Sequence, residues 1–247
     1  MKFTNKFKQS SVALLLGLMV LAVAPAVQAA TSFGTDMLVQ IYLTGVSAGT
    51  LGSNVIATFE NSTLTQNATA AGPAWASTDP YLYPGLPVSN MAIGTPLEHQ
   101  QNVLGEAYGF GGNAFSELLT NGYIHLGNAS GQDVIFSFEY VIQGSAGVAS
   151  TGPGFANAYG AVEIFDSNSG FAPLFEVMEV NLLGTTTSLL NKTGNFSVTL
   201  PTGSSNDISA LVTTYGSAEV PVPEPSTYAL MLAGLGMLGA LSRRSNR

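Results

Sequence analysis

Apolar side chains recur at every second position along most of this chain, and that period limits it to strands. Met37, Val39, Ile41 and Leu43 share one face of the first stretch, and Val55, Ala57 and Phe59 share the next. Val134, Phe136, Phe138, Tyr140 and Ile142 give the clearest run. Val162 and Ile164 follow, with Ala161, Glu163 and Phe165 opposite. Then come Leu174, Met178, Val180 and Leu182, then Phe196, Val198 and Leu200, then Ile208, Ala210 and Val212. A period of two is the mark of a pleated strand with one buried face. Turn-forming clusters fall between these runs, at Gly144–Gly147, Asp166–Gly170, Thr193–Asn195 and Pro201–Ser205. Short strands with regular turns predict an all-β chain, an antiparallel two-sheet sandwich with Greek-key or jelly-roll-like connections. No repeat of fixed period is visible, which argues against a solenoid.

Ala70 to Gly122 breaks the pattern. It holds Trp75, the proline-rich Asp79–Pro87, both histidines and the glycines at 109, 111 and 112. It is expected to be irregular, with a short helix over Leu97–Ala107. Asn121-Gly122 is expected to close a hairpin or cap a helix.

Charge restricts the partners. Between Thr31 and Val220 only Lys192 is basic, against fourteen carboxylates, a net of −13; the whole chain carries −8. Such a body repels nucleic acid and anionic lipid. There is no cysteine, so thiolate chemistry and disulfides are both excluded. A body of this size can bury its own core and is expected to form one domain, residues 30–219.

The two ends read differently from the body. Lys2, Lys6 and Lys8 precede the apolar run Val12–Val23, and Val27 and Ala29 satisfy the small-residue rule. Residues 1–29 therefore read as a secretory signal peptide, cut between Ala29 and Ala30 by signal peptidase. At the other end, residues 220–247 contain Pro223, Glu224 and Pro225, an uncharged run from Tyr228 to Leu241, and Arg243, Arg244 and Arg247. Prolines remove backbone donors and keep the first part extended. The fourteen-residue run suits a transmembrane helix in composition. At about 1.5 Å per residue it rises about 21 Å, short of a hydrocarbon core of about 30 Å. It suits a transient span of the inner membrane better than a stable anchor. The arginines act as a stop-transfer end and stay cytoplasmic, which leaves the body outside.

Val222-Pro223-Glu224-Pro225-Ser226-Thr227, the Gly/Leu-rich run and the basic end resemble the PEP-CTERM sorting signal of Gram-negative bacteria. The resemblance implies recognition of Pro223, Glu224 and Pro225 by a membrane-embedded exosortase. It implies delivery to the cell surface or extracellular matrix, with exopolysaccharide or biofilm as the surroundings. It covers the tail and leaves the central domain unassigned. The same tail occurs on some proteins described as ice-binding, which would require a flat threonine ladder; Thr185-Thr186-Thr187 is a single cluster.

The remaining motifs are read against plainer alternatives. Gly234-Leu235-Gly236-Met237-Leu238-Gly239 spells a dinucleotide-binding pattern, but it lies inside the apolar run and not between a strand and a helix of a βαβ unit. Gly45-Val46-Ser47-Ala48-Gly49 spells a nucleophile elbow, but a strand pattern follows where a helix is required. His99 and His125 lack zinc-ligand spacing, and His125 alternates as on a wet sheet face. Glu139, Glu163, Glu176 and Glu179 lie on strand patterns, and nothing selects a catalytic pair from them. No catalytic residue, metal site or cofactor is assigned. Asp166 and Asn168, two apart in a Gly-closed turn, are a weak calcium candidate. Trp75, Tyr81 and Tyr83, expected in a loop, either fold over a sheet end and cap the core or stack on sugar rings. Five Asn-x-Ser/Thr triplets, at Asn61, Asn67, Asn128, Asn191 and Asn195, are read as polar positions facing water with no further role.

Three readings remain. The chain is a non-enzymatic secreted surface or matrix protein associated with exopolysaccharide. Alternatively it is a glycan-binding, or glycan-cleaving, module delivered by the same tail. In the third reading it is a permanently anchored, periplasm-facing protein.

Overall fold

The computed structural model describes residues 29–47, 50–166, 174–182, 186–222 and 229–238. Eleven strands form two antiparallel sheets among these residues. In chain order they are β1 (Thr31–Val46), β2 (Val55–Ala71), β3 (Ala74–Tyr83), β4 (Val88–Ser89), β5 (Pro96–Ala107), β6 (Asn113–Asn128), β7 (Val134–Ser150), β8 (Phe155–Asp166), β9 (Leu174–Leu182), β10 (Thr186–Leu200) and β11 (Ser204–Glu219). The first sheet has the order β10-β7-β1-β5-β3, and the second β4-β2-β6-β11-β8-β9. Every link except β8 to β9 joins strands of opposite sheets. Neighbours in a sheet are therefore mostly distant in sequence.

The alternating runs become the inward faces. Met37, Val39, Ile41 and Leu43 of β1 are buried, as are Val55, Ala57 and Phe59 of β2 and Val134, Phe136, Phe138 and Ile142 of β7. Ile208, Ala210 and Val212 of β11 and Val162 and Ile164 of β8 close the core from the other sheet. Each such large side chain contributes about 1.5–3 kcal/mol by leaving water. Phe33 of β1 reaches across the core to lie on Gly216 of β11 and beside Gly105 of β5, positions where a Cβ would overlap its ring.

The expected irregular region is not irregular. Ala70–Gly122 supplies the end of β2, all of β3, β4 and β5, and the first half of β6. The helix expected over Leu97–Ala107 is strand β5. Its inward positions are Leu97, His99, Gln101, Val103, Gly105 and Ala107, so polar residues sit where an apolar period would have marked a strand. Hydrogen bonds across the sheets meet Gln101 and one ring nitrogen of His99, while His99 Nε2 is buried without a partner. Thr214 Oγ1 donates to Gln101 Oε1 (2.9 Å), Gln101 Nε2 donates to Thr120 Oγ1 (2.6 Å) and to the Val212 carbonyl (3.0 Å), and Thr120 Oγ1 lies 2.7 Å from His99 Nδ1. Pro80 lies on β3, an edge strand, the position in a sheet where proline is tolerated.

Three expected turns are also strand interiors. Gly144–Gly147 lies within β7, Thr193–Asn195 within β10 and Asn121-Gly122 within β6, which runs unbroken from Asn113 to Asn128. Glycine there provides room, not a bend. Gly144 lies against Met37 and Met178, Gly194 against the Tyr140 ring, and Gly122 against His99. Pro201–Ser205 is a true turn, with Gly203 at φ 73° between β10 and β11. Residues 167–170 of the Asp166–Gly170 cluster lie outside the described residues.

Candidate functional site

The outer face of the first sheet carries the aromatic candidates. Cross-strand registers line its side chains into rows. One row runs Tyr81, Gln100, Leu38, Gln143 and Asn191 across all five strands. The row on one side runs Tyr83, Glu98, Gln40, Val141 and Thr193; the row on the other runs Asp79, Asn102, Asp36, Ser145 and Leu189. Trp75, Tyr81 and Tyr83 occupy odd positions of β3, share this face, and are 43%, 53% and 42% exposed. They lie on an edge strand and not in the expected loop. A strand holds them more rigidly than a loop would, with their rings beside a lawn of amides.

Several of these groups are held. Trp75 Nε1 donates to Glu106 Oε2 (3.2 Å), Gln40 Nε2 to Glu98 Oε2 (2.6 Å), and Tyr42 Oη to Gln40 Oε1 (2.9 Å). Gly34 and Gly147 face each other across β1 and β7, and the Leu104 and Thr187 side chains lean toward the space their missing side chains leave. The result is a groove of about 320 Å³, walled by Leu104 and Leu189, with Asp36, Asn102 and Ser145 along it. The amides and the glycine-floored groove cannot be found from local sequence, because each row draws on strands up to about a hundred residues apart.

The outer face of the second sheet carries the other aromatic groups. Tyr159 and Tyr215 stack with centroids 4.7 Å apart, between Glu117 and Glu179 in one cross-strand row. Partial burial, with Tyr215 and Glu179 beside it, raises the pKa of Tyr159. His125 lies on this face, as its alternation predicts. It stacks on Tyr123, its Nδ1 is 2.5 Å from Asp207 Oδ1, and its Nε2 is 3.7 Å from Glu60 Oε2.

The candidate chemistries are not drawn together. Ser47 follows β1 of the first sheet, and its Oγ accepts from the Ile135 N–H (2.9 Å), whereas His125 is on β6 of the second sheet. Glu139 is on the outer face of the first sheet and Glu163 on that of the second, so they do not form a pair. Glu176 turns inward to Lys192 Nζ (3.2 Å), and Glu179 points outward. Asp166 Oδ1 accepts from Asn206 Nδ2 (2.8 Å), while Asn168 lies outside the described residues. Among the described residues no group of three or more His, Asp or Glu is placed to hold a metal ion.

At the termini, Ala29 is buried against Gly152. The Ala30 N–H donates to Thr151 Oγ1 (3.1 Å). Residues 1–28, which hold the rest of the expected signal peptide, lie outside the described residues, as do Pro223, Glu224, Pro225, Tyr228, Leu241, Arg243, Arg244 and Arg247. Between them, residues 229–238 form an exposed helix. Ten residues rise about 15 Å. No helix among the described residues is long and apolar enough to cross a membrane.

Residues 221–247 match the PEP-CTERM protein-sorting motif. The match covers the tail, and no family is recognised for the central domain. No curated protein and no solved structure matches the chain. A PEP-CTERM tail implies processing by an exosortase and export to the cell envelope or surface.

Proposed function

We propose, from the premise that the chain ends in a PEP-CTERM sorting motif, that it is a non-enzymatic protein of the cell surface or extracellular matrix. The signal peptide 1–29 exports it, the apolar run Tyr228–Leu241 holds it briefly in the inner membrane, and an exosortase acts at Pro223-Glu224-Pro225. The body 30–219 then resides in exopolysaccharide. The observation that carries this reading is the motif match over residues 221–247. Glu224→Ala is the test. It should leave full-length protein in the membrane fraction, seen by immunoblot, while the parent chain is released. Normal release of the variant would refute the sorting role.

A specific observation favours glycan binding as the work of the body. Trp75, Tyr81 and Tyr83 present exposed rings along one face of β3, beside the amides of Gln100 and Asn102. Rings supply stacking surface for sugars, and amides supply paired donors and acceptors for hydroxyls. Neither feature calls for a cofactor.

A further inference from the structure

We infer that the outer face of the first sheet takes a cationic glycan, a polysaccharide whose sugars carry free, protonated amines. This rests on the glycan reading above and narrows it to one ligand class. Charge complementarity on an aromatic sheet face favours this ligand class.

Asp79 and Asp36 flank Asn102 in one cross-strand row and are both exposed. They stand two strands apart, about 9.5 Å at the usual strand spacing. Glu98 and Glu106 lie on the same face. The one basic residue between Thr31 and Val220, Lys192, is committed elsewhere, to Glu176 of β9. A uronic-acid polymer would therefore meet like charge over the whole body. A neutral glycan's hydroxyls can donate to these carboxylates but bring no counter-charge, so it offsets less of the lost hydration than a cation does. An ammonium answers both groups on this face. It forms a charge-assisted hydrogen bond with a carboxylate, and it is attracted to the ring faces of Tyr81 and Tyr83. The groove over Gly34 and Gly147 offers a seat for a sugar ring with Asp36 on its rim.

The experiment uses the full chain in detergent and isothermal titration at low salt. The probes are hexamers of glucosamine, of N-acetylglucosamine and of mannuronate. The glucosamine hexamer should bind at least tenfold tighter than the acetylated one, and the advantage should shrink as sodium chloride is added. Mannuronate should bind weakest. Asp36→Asn combined with Asp79→Asn should remove the advantage by weakening the glucosamine hexamer, with the acetylated hexamer bound as tightly as before or tighter because no carboxylate is then stripped of water; both positions are exposed, and an unaltered melting temperature verifies folding. Tyr81→Ala should weaken both amino-sugar hexamers. Equal or tighter binding of the acetylated hexamer, or an advantage that survives the double substitution, overturns the cationic class and leaves glycan binding standing. No binding of any hexamer, or no effect of Tyr81→Ala, overturns the glycan reading of this face itself.

Discussion

Acid should loosen this sandwich through His99. The ring is fully buried between the sheets. Val39 and Leu82 are its partners on the neighbouring strands, Thr120 faces Nδ1, and Gly122 lies against the ring. None of these carries a charge, so the imidazolium would have no counter-ion. Burial accordingly lowers the pKa from 6.5 to about 4. With the folded value below the unfolded one, the unfolded chain binds more protons between those two values. Stability is then complete above pH 6.5 and falls as the pH drops toward 4. At about 1.4 kcal/mol per pH unit, the loss reaches about 3 kcal/mol at the lower end. Urea unfolding followed by circular dichroism at pH 7.5 and 4.5 measures it, in the parent chain and in His99→Gln. The glutamine keeps a hydrogen-bonding end for Thr120 and cannot titrate. Carboxylate protonation is common to both chains and cancels in the comparison. The parent should lose about 2–3 kcal/mol more than the variant between the two pH values. Equal losses would refute the argument that His99 is neutral because it is buried without a counter-charge.

Two further perturbations follow from the packing. Phe33→Ala empties the space between Gly105 and Gly216 and should cost about 3–5 kcal/mol in urea unfolding; Gly216→Ala, which drives a methyl group into the ring, should cost about 1–3 kcal/mol. Losses below 1 kcal/mol for both would mean that the ring does not bridge the sheets as described. Lys192 and Glu176 point inward from β10 and β9, the edge strands of their sheets, and close the seam between them. The lysine is half exposed, so Lys192→Ala should change stability by no more than about 1 kcal/mol. It removes an inward charge that protects an edge from pairing with another chain, and sedimentation velocity should show more self-association than in the parent. An unchanged sedimentation profile would show that the seam pair does not guard the edge.

Some features of this protein were legible in its residues one stretch at a time. The strands at Met37–Leu43, Val134–Ile142 and Ile208–Val212 were readable because a period of two is a property of the strand itself. The sorting tail was readable because its recognition depends on a short contiguous order of proline, carboxylate, apolar run and base. The absence of thiols and the acidic body needed only counting. Other features belonged to the tertiary structure. Asn121-Gly122 looks like a turn until the other sheet places His99 against that glycine. Leu97–Ala107 does not look like a strand until Thr120 and Thr214 arrive from β6 and β11 to meet His99 Nδ1 and the Gln101 amide. Trp75, Tyr81 and Tyr83 stand out as aromatic residues in the sequence, but their common face, the amide rows and the glycine-floored groove appear only once β1, β3, β5, β7 and β10 pair. Local periodicity specifies what a strand is. Which residues it meets is decided by burial and hydrogen bonding among partners far along the chain, and here nearly every connection crosses from one sheet to the other.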